Sequence, residues 1–447
     1  MPRTLITIIA AVAVLATAAQ AQAETQARPR PVTDADYAPL NPIEVELGHL
    51  LFWDPILSGN RNISCGTCHH PRLGTSDGLS LGLGEGGVGL GPQRKADPAN
   101  LPEQRIPRNS PALFNLGARE FTVMFHDGRI EVDPSRPSGF RTPLEQEMEV
   151  GFANLLSAQN MFPVLSADEM AGHYSENELS RAVRQGRITG EGGAWDLIAR
   201  RVAAIPAYAE GFARLDPAIG RDRPLAFTDV SNAIAAFVAF EWRSDTAPFD
   251  AWLRGQAALS AEAEAGADLF YGAAGCAACH SGPFLTDHGF HAMGEPQLGP
   301  GKAERFERHQ RDMGRMRVTN RPEDAFAFRT PSLRNVTLTA PYGHAGAHAD
   351  LAAFLRHHAD PVAGLGAYDR ASAHLPALPD TKPDWPVMDT PEERAAIASA
   401  VRTAPVALSA GDIAALIAFL GSLEDPVAVT GRLGVPETVP SGLPVDR

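Results

Sequence analysis

Four cysteines constrain this chain more than any other feature. They fall in two blocks, Cys65-Gly66-Thr67-Cys68-His69 and Cys276-Ala277-Ala278-Cys279-His280, and the other 443 of the 447 residues include no cysteine. Each block is a C-x-x-C-H haem-attachment pattern. Two thiols three residues apart on one turn reach both vinyl groups of a single porphyrin, and the histidine that follows turns a ring nitrogen toward the iron. Two redox-active C-x-x-C pairs or one four-thiolate zinc site would use the same cysteines. Neither needs a histidine directly after each pair. The chain is therefore read as carrying two covalent haems, and its fold must wrap a flat group twice.

The N-terminus addresses the chain. Arg3 precedes an apolar run from Leu5 to Ala19, and Ala21-Gln22-Ala23 supplies small residues for cleavage. This is the pattern of a secretory signal peptide over residues 1–23, cut after Ala23. A membrane anchor would need a longer span. No later segment holds the ~18 consecutive apolar residues of a transmembrane helix, so no membrane span is expected after cleavage. Exported thiols ordinarily pair as disulfides; thioether bonds to haem would consume them here, which points to the periplasm. The chain has 39 Lys+Arg against 53 Asp+Glu, a formal charge of −14, and loss of Arg3 makes it −15. That balance argues against nucleic acid. It suits a basic electron-carrier partner and equally suits a plain solvated acidic surface.

The fold class expected is mainly α, with two cytochrome c-like haem domains and long loops. Helices are read over Glu46–Trp53, Phe227–Trp242, Ser260–Tyr271 and Asp412–Leu420, with Ser260 as an N-cap and Pro248 separating the second from the third. Long Pro/Gly-rich loops run from Gly78 to Pro102 and from Pro296 to Pro331; loops of this length usually serve function, and the haem faces are their expected place. One haem per domain divides the chain into residues 24–225 and 226–424, with 425–447 as an extended tail.

Several strings around the two motifs resemble the di-haem cytochrome c peroxidases and the related MauG-type enzymes. They are Leu47-Gly48 through Asp54-Pro55, Pro107-Arg108-Asn109-Ser110-Pro111, Asp127-Gly128-Arg129, Thr330-Pro331-Ser332-Leu333-Arg334-Asn335 and Leu338-Thr339-Ala340-Pro341-Tyr342. The resemblance implies that the first haem, on His69, is the site of peroxide chemistry. In many relatives the loop after the first motif supplies a removable distal histidine. Here Pro71–Ile106 holds no histidine, methionine or tyrosine, and His70 directly follows the proximal ligand. An iron open on one face is the expectation. Peroxide chemistry also needs a group that moves a proton between the two oxygens. The family uses a glutamate six residues after a pocket-covering proline, which matches Pro143 and Glu149. On its own Glu149 could equally belong to a solvated helix with Glu145 and Glu147. The family's distal glutamine position falls on Gly139, a departure.

The same resemblance places the second haem's distal ligand 17 residues after Pro341, at His358, where relatives have methionine or tyrosine. A bis-histidine iron is closed to peroxide and suited to electron relay. His357, about 100° round the helix, is expected to face solvent, and Met293, Met313 or Met316 is the fallback ligand. The family's inter-haem tryptophan is replaced by His126, whose ring is harder to oxidise. A calcium ion between the domains is also implied, with Asn109, Thr339 and Pro341 at the ligand positions; their hard oxygens suit that ion.

The function implied is a periplasmic di-haem peroxidase that reduces hydrogen peroxide to water with electrons from a small cytochrome c or cupredoxin. One alternative is a MauG-like enzyme that oxidises a tryptophan of a partner protein. The open first haem, the non-methionine second ligand and the stretch Gly151–Pro163 lean that way, toward the MauG-type and methanobactin-associated subgroup. A second alternative, a non-catalytic electron-transfer cytochrome, requires both irons to be closed.

Overall fold

In the computed structural model, residues 26–302, 307–379 and 381–447 are described. The signal-peptide reading of residues 1–23 lies outside them. Five helices organise the chain: α1 (Pro42–Trp53), α2 (Phe227–Glu241), α3 (Ala261–Tyr271), α4 (Leu351–Ala359) and α5 (Ala410–Gly421). Local chemistry starts each of these. Asn41 accepts from the Ile43 amide and Pro42 takes the first position of α1. Ser260 accepts from the Ala263 amide at the head of α3, and Ser409 with Asp412 forms a capping box on α5. Strands are only two or three residues long, so the class is mainly α. No described helix is long and apolar enough to cross a membrane.

One construction occurs twice. Helix α1 packs on α2 before and after the first haem block, and α3 packs on α5 around the second. A glycine sits at each crossing. A Cβ on Gly48 would lie 1.8 Å from the Ala233 carbonyl oxygen, and one on Gly266 would lie 1.9 Å from that of Ala415. The helices touch backbone to backbone there. An asparagine follows each block in left-handed conformation, Asn115 at φ 62° and Asn335 at φ 61°, a region asparagine tolerates. Its side-chain oxygen accepts a backbone amide just beyond the closing helix, Ser244 for Asn115 and Asp425 for Asn335, both at 2.7 Å.

This packing corrects the expected boundary at 225/226. Phe227, Ile234, Phe237 and Trp242 are buried in the first core with Leu51, Phe52 and Trp53. The second core begins with Phe249 and gathers Phe270, Tyr271, Leu416 and Phe419. Helix α2 thus closes the first half. Pro248 does more than separate two helices, since it opens one of its own, Pro248–Leu253. The four helices read from the sequence are present with small shifts at their ends. Short helices at Leu155–Asn160, Glu178–Arg184, Ala194–Ala203 and Pro206–Leu215 were not foreseen.

The long loops are packed. Leu79, Leu81 and Leu83 are buried, and Leu81 joins Leu298, Ala345 and Ala347 of the second half. Arg94 holds this loop by donating to the carbonyls of Leu83, Gly84 and Gly89. The 296–331 loop brings Asp312 to Arg108, which donates to it at 2.6 and 2.8 Å and to Asp127 at 2.7 Å. The tail opens with a helical turn, Pro426–Thr430, and then runs extended along the first half. Ser441 donates to Asp54 at 2.6 Å, and Val439 is buried in the first core.

Candidate haem sites

The two C-x-x-C-H blocks have matching local geometry. The His69 amide bonds to the Cys65 carbonyl at 3.0 Å and the His280 amide to that of Cys276 at 2.9 Å, so each histidine turns back over its cysteine pair. Nδ1 of His69 lies 3.0 Å from the Thr75 carbonyl, and Nδ1 of His280 lies 3.1 Å from that of Leu285. A carbonyl only accepts, so Nδ1 carries the proton and Nε2 keeps its lone pair for a metal. Burial pushes both imidazole pKa values down, which favours the neutral, ligating form. All four cysteines are free and half-buried. Two thiols and one oriented imidazole per block fit a covalently held haem.

His358 stands on α4, half-buried. Burial first, then repulsion from His357 and His280, brings its pKa down to about 3. Its Nδ1 has no hydrogen-bond partner. His357 does not face solvent as expected. It is 2% exposed and donates from Nε2 to the Met293 carbonyl at 2.9 Å, because α4 is covered on that side by the 293–295 segment. Among the fallback ligands, the Met293 sulfur accepts from Thr403, and Met313 packs against a separate cluster with Phe326 and Leu365. Met316 opens a four-residue helix, Met316–Thr319.

Around the first block the expected residues are less tightly joined. Glu149 is half-buried, and its Oε1 accepts from the Gly190 amide at 3.4 Å. It is not part of a solvated acidic helix. Glu145–Glu147 form a single 3-10 turn, with Glu145 at φ 49°, and the chain is extended again at Met148. Pro143 is exposed on the same loop. Gly139 faces open space and supplies no side-chain hydrogen-bonding group. No hydrogen bond among the described residues joins Glu149 to His69 or His126. His126 sits at the seam between the halves. Its Nε2 lies 3.2 Å from the Asn109 carbonyl, and its own carbonyl accepts from the Arg329 amide at 2.8 Å. Burial, then Arg108, lowers its pKa to about 3, so the ring is neutral. Asn109 is fixed by donating to the Leu79 carbonyl at 2.8 Å and by its amide bond to His344 at 2.9 Å. Thr339 and Pro341 lie on the adjoining loop with no hydrogen bond to it.

Sequence reasoning missed two buried groups. One is the Arg108–Asp127–Asp312 cluster; the other is Glu295 with His348 and His357. In each case one member comes from far along the chain, Asp312 in the first and Glu295 in the second, so no local spacing signalled the group.

A family model described as di-haem cytochrome c peroxidase matches residues 42–258. The methylamine utilization protein MauG of Methylorubrum extorquens is 34% identical over 323 residues, covering 72% of this chain and 69% of that one. The chain belongs to the di-haem cytochrome c peroxidase family. The cytochrome c551 peroxidase of Pseudomonas aeruginosa is 29% identical over 316 residues, covering 70% of this chain and 71% of its own. In fold, the chain is similar to a MauG-like protein associated with microbial copper homeostasis, with a TM-score of 0.55 at 24% identity and coverage of 91% and 95%. It is also similar to the di-haem peroxidase BthA of Burkholderia thailandensis, with a TM-score of 0.54 at 21% identity and coverage of 95% and 96%. As a member of this family the chain is a haem-dependent oxidoreductase of the cytochrome c peroxidase type, a class that carries two haems.

Proposed function

We propose that this chain is a periplasmic peroxidase that reduces hydrogen peroxide to water with electrons from a protein donor, and that its two haem sites do different work. The observation that carries this reading is their asymmetry. The second half presents His358 on α4 with its Nδ1 unpartnered, whereas the loop after the first block, residues 71–106, offers no histidine, methionine or tyrosine opposite His69. Haem at these sites would supply peroxide binding and O–O cleavage at the first and electron storage at the second. Cys65, Cys68 and His69 would hold the first; Cys276, Cys279, His280 and His358 would hold the second.

The chain's own residues then have defined tasks. Thr75 and Leu285 keep the two proximal rings in the ligating tautomer. Glu149 takes the proton from the near oxygen of peroxide and returns it to the far one, so that water leaves. His126, neutral at the seam, serves as a bridge for electron tunnelling. Asn109, Thr339 and Pro341 offer oxygens for a calcium ion beside it, and elemental analysis of the holoprotein that finds no calcium removes that part. The domain assignment follows the helix pairs, with 26–247 and the tail around the peroxide site and 248–424 around the relay.

The resting ferric electron paramagnetic resonance spectrum tests the asymmetry. One high-spin and one low-spin haem are expected; two low-spin signals would leave only the electron-carrier reading. A second enzymatic reading, oxidation of a tryptophan on a partner protein, is favoured by a histidine at position 358. One equivalent of peroxide added to ferric protein separates the two. Rapid recovery and fast turnover with reduced small cytochromes or cupredoxins support the peroxidase. An oxidised state that persists for seconds, with little carrier turnover, supports the protein-modifying enzyme.

A further inference from the structure

Behind the helix that carries His358 lies a second polar cluster that haem binding does not use. Glu295 follows the short strand Phe290–His291, His348 pairs its backbone with Tyr342 just before α4, and His357 is on α4 itself. All three are buried, at 8%, 5% and 2% exposure. One ligand atom from each lies within 4.8 Å of the other two. Oε2 of Glu295, Nε2 of His348 and Nδ1 of His357 have no hydrogen-bond partner. No hydrogen bond or ion pair reaches Glu295 among the described residues, and burial alone pushes its pKa up to about 8.

The surroundings make room for this cluster and keep water from it. Gly343 has φ +91°, and a Cβ there would come 2.5 Å from Oε2 of Glu295. The Phe354 ring packs against His348 and His357, and the Tyr368 ring lies 5.3 Å from that of His348. A carboxylate left in such a place without a countercharge is costly. A neutral, protonated Glu295 avoids the cost and can donate to one imidazole nitrogen, but the other stays unsatisfied. A dication relieves all three groups together.

We propose that Glu295, His348 and His357 bind a divalent first-row transition-metal ion, zinc in type, directly behind the His358 helix. Two imidazoles and a carboxylate are a recurring donor set for such ions. Calcium and magnesium, which take oxygen ligands, do not suit it. With bonds of about 2.1 Å the donor atoms of a tetrahedral site stand about 3.4 Å apart, so small side-chain rotations close the cluster. The other trio of this kind, Cys279, Asp287 and His291, is dropped because the Cys279 sulfur belongs to the haem thioether. The bound ion would tie the 293–295 segment and the 342–348 turn to α4, and its charge would raise the potential of the second haem.

The test uses the full holoprotein, stripped with a strong chelator and titrated with zinc chloride by calorimetry. Metal analysis and zinc-edge X-ray absorption accompany the titration. One zinc per two irons is expected, in a shell of two imidazoles and one carboxylate. Glu295→Gln should weaken binding at least ~100-fold, beyond what loss of an outer-shell contact does. His348→Phe should abolish it, with both Soret bands unchanged. Absence of a zinc equivalent, a shell without two imidazoles, or equal binding by the variants would overturn the proposal. The X-ray absorption result on the unmodified protein decides the matter even if a variant fails to fold. Zinc binding does not require His358 to ligate iron, so failure of that assignment would show separately, in the low-spin signal.

Discussion

At the scale of single residues, the two haem sites depend on side chains that can be removed one at a time. Glu149 is the only proton carrier assigned to the peroxide step. Glu149→Gln keeps the shape and the bond from Gly190 but cannot carry the proton. Stopped-flow measurement should show peroxide reacting at least ~100-fold more slowly, the usual scale of general acid–base catalysis, with both haem spectra unaltered. A rate within a few-fold of the parent would remove Glu149 from the mechanism. His358→Ala should abolish the low-spin ferric signal while both haems stay attached, because the thioethers and His280 are untouched. If the low-spin signal persists, another residue is the ligand. His357 is a poor substitute, since it is buried facing Met293.

At the scale of elements, the crossings at Gly48 and Gly266 hold each haem half together. Alanine would ordinarily favour a helix over glycine by about 1 kcal/mol. Here its methyl group would meet a backbone carbonyl at 1.8 Å in one case and 1.9 Å in the other, and a backbone cannot rotate away. The helices must separate, so overpacking of about 1–3 kcal/mol outweighs the propensity gain. Gly48→Ala and Gly266→Ala should each lower the melting temperature, by several degrees for a half of this size. The first should loosen mainly the His69 half, and the second the His280 half. Scanning calorimetry with haem absorbance as a local probe would check this; a melting temperature unchanged in both would mean that the crossings are looser than the distances indicate.

At the scale of the whole molecule, Arg108 joins the halves by bonding Asp127 from one and Asp312 from the other. Burial opposes ionisation of both carboxylates, but the guanidinium outweighs it and holds them well below the ordinary carboxylate range. A depressed folded-state pKa contributes stability above the unfolded value near pH 4 and loses it as the pH falls further. Arg108→Met leaves the buried Asp312 without a guanidinium and Asp127 with Arg129 alone, and should cost about 3–5 kcal/mol at neutral pH. Its deficit should shrink below about pH 4, where the carboxylates of the variant are neutral. Chemical denaturation of both proteins across pH 3–8 measures this, and a deficit independent of pH would assign Arg108 a packing role only.

The candidate residues for haem attachment were legible without a structure, because covalent attachment demands two thiols and a histidine at fixed spacing. The start of α3 was legible for a related reason, since Ser260 caps the Ala263 amide three residues on and the chemistry is local. Asn41 and Ser409 cap α1 and α5 in the same way, but the sequence reading began those helices later, at Glu46 and Asp412. The sequence likewise carried the family, since its strings lie in order along the chain. Only tertiary structure decided which half α2 belongs to, because its place is set by the Gly48 crossing with α1 and by packing against the Leu155–Asn160 and Ala194–Ala203 helices. Packing also buried His357, which one turn of helix by itself leaves free to face water. The Glu295–His348–His357 and Arg108–Asp127–Asp312 clusters were invisible for the same reason: their members meet only after distant loops fold over one another, and no short-range rule of spacing records that meeting.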